Sequence, residues 1–294
     1  REEARLAAGA DGTIASYRVR HRDGHFVWVE VTAKTIRDAA GRVTGWISTT
    51  RDISERKRAE QLKADLLATI SHDLRTPVMS INGAISLVRR GDFGTFPKDV
   101  TRLLEMADVN SKRLMLLISD ILDIDKLSAG KMEVAPEVTS VPRLLTDACL
   151  ANTPYAASKK VSLRVTRCCA AHIHVDAHRM HQILANLLSN AVKYSVPGGE
   201  VELCASLRGG SCEILVIDHG SGIPERFRSR LFDRFSQADT ADPRARGGAG
   251  LGMAIVKELT TLMGGAVSFE SQEGQGTTVC VAFPAVSEAI EQAS

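Results

Sequence analysis

Between Thr13 and Ile53 the chain alternates apolar and polar residues in three short runs, Ile14 to Arg20, Phe26 to Ala33 and Val43 to Thr50, broken by the turn signals Asp23-Gly24 and Gly41. Period-two alternation across such turns predicts a small antiparallel sheet. The charged stretch Arg51 to Glu60 then leads into a different spacing, about three and a half residues, which is that of a helix. One apolar seam runs Leu67, Ile70, Leu74, Pro77, Ile81, Ala84, Val88, and a second runs Leu103, Ala107, Asn110, Leu114, Leu117, Ile121, Ile124, both in alternating steps of three and four. Turn formers occupy Gly91 to Pro97 between them, so two long helices fold back as an antiparallel hairpin. A lone pair of helices cannot bury both seams, and a dimeric four-helix bundle is the economical arrangement.

After Gly130 the pattern becomes mixed. Helices are expected at Val141 to Ser158, Ala177 to Tyr194 and Gly250 to Met263, with strands near 161–165, 200–207, 213–218, 265–270 and 276–283. Helices layered on one face of a mixed sheet account for this order.

Composition adds bounds. With 294 residues, 44% apolar and 24% charged, the chain is long enough for two or three globular domains. A net charge of +2 is too balanced to argue for a nucleic-acid or membrane surface. Arg226, Arg228, Arg230, Arg234, Arg244 and Arg246 nevertheless crowd one short stretch, which suggests a polyanionic ligand. The six cysteines form no CxxC pattern and fit reduced, cytoplasmic thiols. No run approaches the ~20 apolar residues that span a bilayer, so no membrane contact is expected of this segment. A chain starting at Arg1 reads as a fragment.

Three blocks carry chemistry. With Leu67 and Leu74 at heptad position a, His72 falls at f, which faces solvent. It sits in Ser71-His72-Asp73-Leu74-Arg75-Thr76-Pro77. A neutral imidazole is a good nucleophile near neutral pH. Asp73 beside it is a candidate base or orienter, able to hold the proton of one ring nitrogen while the other attacks. Thr76 lies one helical turn from His72, and Pro77 removes a backbone donor just below it. In the second block Asn186, Asn190 and Lys193 recur at helical spacing before Tyr194. Amide oxygens are hard ligands suited to Mg²⁺, and a lysine can neutralise phosphate. The third opens where the apolar run Ile214 to Ile217 ends in Asp218-His219-Gly220-Ser221-Gly222-Ile223. A carboxylate buried at a strand end needs a hydrogen-bond partner. Further on stand Phe232-Asp233-Arg234-Phe235, then Gly248-Ala249-Gly250-Leu251-Gly252 at a helix start, then Gly274-Gln275-Gly276-Thr277. A glycine-rich helix N-terminus offers N–H groups to anions. There is no GxxxxGK[ST] phosphate loop.

The order of these blocks resembles the sensor histidine kinases of two-component systems, over residues 62–284. The resemblance implies a multi-domain chain: a partial PAS antiparallel sheet, a dimerising helical hairpin that bears the phosphoacceptor histidine, and an α/β sandwich ATP-binding domain of the Bergerat (GHKL) type. Boundaries follow at 1–53 for the PAS part, 54–61 for a helical linker, 62–130 for the hairpin, 131–286 for the ATP-binding domain and 287–294 for a tail. It implies ATP and Mg²⁺ as cofactors, with His72 phosphorylated, Asp73 assisting and Thr76 positioning water in a phosphatase reaction. Asn190 becomes the Mg²⁺ ligand with Asn186 in support. Lys193, Tyr194, Asp218, Gly220, Gly222, Ile223, Phe235, Arg246, Gly248, Gly250, Leu251, Gly252 and Thr277 line the nucleotide, Asp218 taking the adenine amino group. The partners implied are a second copy of the chain and a response-regulator receiver domain. ATPase machines of the repair, topoisomerase and chaperone type share the nucleotide fold but lack the histidine hairpin. A non-catalytic scaffold or dedicated phosphatase is disfavoured by the full set of nucleotide residues. His172, His174, His178 and His181 could be drawn as a metal site, but no thiol or carboxylate completes the shell.

Overall fold

The computed structural model describes residues 13–90, 94, 96–237 and 250–286. The chain forms two compact units, Arg1–Ile70 and Ser71–Ser294.

In the first unit, β1 (Thr13–Arg20), β2 (Phe26–Arg37) and β3 (Val43–Asp52) make an antiparallel sheet in that order. Alternation buries Val29, Val31 and Ala33 on one face of β2, as period two requires. Trp46 and Ile47 on β3 stay more than half exposed. The β2–β3 turn is closed by Asp38, whose carboxylate accepts the Ala40 and Arg42 N–H groups at 2.9 Å each. Helix α1 (Ser54–Arg89) follows without a break. Its start is fixed to β2: Ser54 Oγ accepts the Trp28 N–H at 3.0 Å, Arg56 pairs with Glu30 at 3.0 Å, and Ile53 is buried. The stretch expected as a helical linker is continuous with the helix that bears His72.

In the second unit, the remainder of α1 runs antiparallel to α2 (Lys98–Ser128). Ser71, Val78 and Ile85 on α1 face Asp108, Ser111 and Ile118 on α2, Asp123 and Ile124 being buried further along α2, and Ser111 Oγ reaches the Val78 carbonyl at 3.4 Å. Arg89 and Lys112 converge on the buried Asp108 at 2.6 and 2.9 Å. This intrachain seam is one residue out of step with the one read from the sequence. Ile70, Leu74, Ile81, Leu103 and Leu114 of the expected seams remain exposed in the single chain.

The rest of the unit is a two-layer sandwich. Strand β4 (Glu137–Ser140) pairs with β6 (His172–Val175). The main sheet holds β5 (Ser162–Arg167), β7 (Glu200–Arg208), β8 (Ser211–Asp218), β10 (Gly276–Pro284) and β9 (Ala266–Gln272), in that order. Only β5 and β7 run parallel. Helices α3 (Val141–Ser158), α4 (Ala177–Tyr194) and α6 (Gly252–Leu262) supply the other layer. Short helix α5 (Glu225–Arg228) follows the Asp218 turn. Met180, Ile183, Leu184, Leu187, Leu188, Ala191 and Val192 are buried along one stripe of α4 at i, i+3, i+4 spacing. Each buried leucine there contributes roughly 1.5–3 kcal/mol, so this stripe fixes which way the polar face of α4 looks. β4 and α5 were not expected from the sequence: they are too short to carry a periodic signal. All six cysteines are free, and burial pushes the Cys212 thiol up to about 12, so it stays an unreactive core thiol.

Candidate active site

Alternation along β8 buries Cys212, Ile214, Val216 and then Asp218, so the carboxylate occupies a core-facing position at the strand end. Asp218 is 8% exposed. Burial pushes its carboxyl upward, while N–H groups of Gly220 and Thr277 hold it back. The Gly220 N–H donates to Oδ1 at 2.9 Å. A buried acid with acceptor capacity left over suits a ligand that donates an N–H.

Glycines bring the backbone in around it. A Cβ on Gly220 would lie 2.2 Å from the Tyr194 carbonyl oxygen, one on Gly222 2.1 Å from that of Gln272, and one on Gly276 2.0 Å from that of Asp218. The Asp218 turn thus touches both the end of α4 and the β9–β10 turn, and any side chain at these positions would force them apart. The Ser221 N–H donates to the Tyr194 carbonyl at 3.3 Å, and the Gly274 N–H donates to that of Ser221 at 2.8 Å. Ser271 on β9 ties the third side: its Oγ accepts the Ile223 N–H at 2.8 Å, donates to the Gly276 carbonyl at 2.9 Å and lies 2.9 Å from Thr277 Oγ1. Ser271 was not expected; a serine alternating on an edge strand gives no signal, and only the fold brings it to Ile223 and Thr277.

The polar face of α4 forms the opposite wall. Asn186 and Asn190 are one turn apart and half-buried. A Cβ on Gly252 would stand 3.2 Å from Asn186 Oδ1, so the start of α6 abuts that amide. Lys193 Nζ donates to the Tyr194 hydroxyl at 3.1 Å and lies 4.6 Å from the centre of its ring. Leu251 is 1% exposed, which leaves only its backbone to meet a ligand. Phe235 is 68% exposed with φ 58°. Gly250, φ 70°, comes so close to Phe235 and Ser236 that a Cβ would lie 2.6 Å from the Ser236 carbonyl oxygen. Arg246 and Gly248 lie outside the described residues.

On α1, Asp73 and Thr76 are exposed, Ser71 is buried, and the His72 side chain lies outside the description. Pro77 stands inside the helix, so the Asp73 carbonyl loses its helical N–H donor. The hairpin is hydrogen-bonded to the helical layer of the sandwich. Gln182 Nε2 donates to Asp123 Oδ2 at 2.7 Å, and Arg179 Nη1 donates to Gln182 Oε1 at 3.0 Å. Gln182 stands one turn before Asn186 on the same face, a spacing visible in the sequence, whereas Asp123 lies inside an apolar seam that conceals it. His172, His174, His178 and His181 do not converge; among the described residues the single metal-competent cluster is elsewhere, at His21, Asp23 and His25.

A helical phosphoacceptor hairpin followed by an α/β sandwich with a buried aspartate and a glycine cradle is the architecture of a protein-histidine kinase core. Family models agree: residues 62–130 match the His Kinase A (phospho-acceptor) domain, 175–287 the histidine kinase-, DNA gyrase B- and HSP90-like ATPase, and 2–50 the PAS fold. The chain belongs to the sensor histidine kinases. It is 37% identical over 229 residues to the circadian input-output histidine kinase CikA of Synechococcus elongatus, covering 77% of this chain and 30% of CikA. Sensor protein EvgS of Escherichia coli K12 is 33% identical over 84% of this chain and 22% of its own length. Full-length ShkA, solved in complex with AMPPNP, superposes with a TM-score of 0.62 at 30% identity, covering 76% of this chain and 46% of ShkA. The chain thus spans less than half the length of these relatives.

Proposed function

We propose that this chain is the signalling core of a two-component kinase that binds ATP above Asp218, phosphorylates its own His72 and passes the phosphoryl group to an aspartate of a response-regulator receiver domain. The observation that supports this most is the buried Asp218, ringed by glycines and faced by Asn186 and Asn190, on the same chain as the His72 helix. The division into 1–53, 54–61 as a helical linker, 62–130, 131–286 and 287–294 is part of the same reading.

The adenine amino group donates to the Asp218 carboxylate, while Ser271 fixes Thr277 and Ile223 around the base. Asn190 would hold Mg²⁺ with Asn186 beside it: its half-buried amide oxygen has no fixed hydrogen-bond partner among the described residues, as an open ligand position requires. When bound, the ion neutralises phosphate charge. At His72 the lone pair of one ring nitrogen attacks the γ-phosphorus. A P–N bond forms as the bridging P–O bond breaks, its electron pair leaves with ADP, and Asp73 holds the proton of the other nitrogen. The receiver aspartate then displaces the imidazole, and Thr76 places the water that later hydrolyses the aspartyl phosphate. The exposed stripe Ile70, Leu74, Ile81, Leu103 and Leu114 supports homodimerisation through the hairpin. Six free thiols support a reducing, cytoplasmic setting.

The test is incorporation from γ-labelled ATP. His72→Gln is expected to abolish an acid-labile, alkali-stable label while nucleotide binding persists. Label retained in the variant would overturn the assignment.

A further inference from the structure

We propose that the β1–β2 turn is a binding site for a divalent transition-metal ion of the zinc class, ligated by His21, Asp23 and His25. The turn is built to hold these three together. His21 and His25 close the ladder: the His21 N–H donates to the His25 carbonyl at 2.7 Å, and the Gly24 N–H donates to the His21 carbonyl at 2.9 Å. Gly24, φ 89°, supplies the left-handed residue that lets the chain reverse in Arg22-Asp23-Gly24. The two imidazoles consequently stack on one face, centroids 4.6 Å apart at 30°, with Asp23 beside them.

One atom of each residue lies within 4.8 Å of the others. His21 Nδ1 accepts the Asp23 N–H at 3.3 Å, a long hydrogen bond that a metal ion on this nitrogen would replace. The same nitrogen stands 3.2 Å from Asp23 Oδ2. A cation between these two atoms, whether a proton or a metal ion, relieves their repulsion. Ligand atoms ~2.0–2.2 Å from one ion, at tetrahedral to octahedral angles, stand about 2.9–3.5 Å apart, which this pair already satisfies. His25 adds its nitrogen once its ring turns out of the stack, because two stacked rings keep their in-plane lone pairs in separate planes. Two imidazoles and one carboxylate select zinc-like ions over Mg²⁺ and Ca²⁺, which favour oxygen. All three residues are exposed, so water completes the shell. Arg20, whose Nε donates to the Gly24 carbonyl at 3.4 Å, and Arg22, 3.9 Å from Asp23, place positive charge nearby and keep the affinity moderate.

The experiment is Zn²⁺ titration of the full chain by calorimetry with Mg²⁺ in excess, beside a His21→Asn/His25→Asn variant whose fold is checked by circular dichroism. The remaining histidines contribute the same background to both. The wild type is expected to bind one more Zn²⁺ per chain, to release protons on binding, and to lose about tenfold in affinity on Asp23→Asn. Superimposable isotherms for wild type and a folded double variant, or displacement of the extra Zn²⁺ by Mg²⁺, would overturn the proposal.

Discussion

Gln182 donates to the Asp123 carboxylate at 2.7 Å, and this contact joins the phosphoacceptor hairpin to the helix that carries Asn186 and Asn190. Asp123 also lies 3.6 Å from Arg179. A charge-assisted hydrogen bond in a half-buried site is worth about 1.5–3 kcal/mol. Asp123→Ala and Gln182→Ala should therefore each lower stability in urea, with a double-mutant coupling of about 1 kcal/mol. Additive losses would mean that the two side chains do not support each other.

One turn away, burial and the neighbouring Asp123 push the Asp120 carboxyl up to about 6 from 3.8. A folded-state value above the unfolded one means that the proton is bound more tightly in the native state. That stabilisation is complete below the unfolded value and is lost as pH rises through about 6. Asp120→Asn cannot lose it. Thermal melts from about pH 4 to about pH 7 should show the variant gaining on the wild type throughout the window. Parallel curves would contradict the shift.

Asp218→Asn keeps the volume of the side chain but replaces an acceptor by an amide that must present a donor. Affinity for a fluorescent ATP analogue should fall at least about tenfold, the cost of one unmatched buried polar group, with the melting curve changed little. Gly220→Ala should do the reverse of a clean lesion: its Cβ meets the Tyr194 carbonyl oxygen at 2.2 Å, so stability and nucleotide binding fall together, by more than about 1 kcal/mol for the former. Unchanged binding in both variants would move the nucleotide away from this turn.

Thr76→Ala should spare autophosphorylation and slow loss of phosphate from the phosphorylated receiver, because Thr76 is exposed one turn from His72 and outside the nucleotide cradle. A folded variant that no longer labels itself would show that the division of labour on this helix is wrong.

Helix α1 is unbroken from Ser54 to Arg89, and a helix transmits rotation. One residue inserted between Ile53 and Leu62 turns everything beyond it by ~100°, whereas seven residues nearly restore the phase. Kinase activity should change sharply in the first variant and return in the second. Equal activities would make this stretch a passive tether.

The periodic segments were legible from the sequence because burial of an apolar stripe is a local constraint: α4 and α6, β7, β8 and β10 arise where the spacing puts them, and the polar face of α4 with Asn186 and Asn190 follows from its apolar one. Asp218 was legible too, since a carboxylate that ends a buried strand violates the pattern. What needed the tertiary structure is whatever depends on residues far apart in the chain. Ser271 reaches Ile223 and Thr277 only because β9 pairs beside β10, and Asp123 meets Gln182 across 59 positions. The intrachain seam of the hairpin settled one residue away from the expected stripe, and it buries Asp108 with Arg89 and Lys112 as partners. His21 and His25 carry no periodic signal, and what makes them neighbours is a three-residue loop whose left-handed glycine folds two exposed side chains onto one face of a sheet.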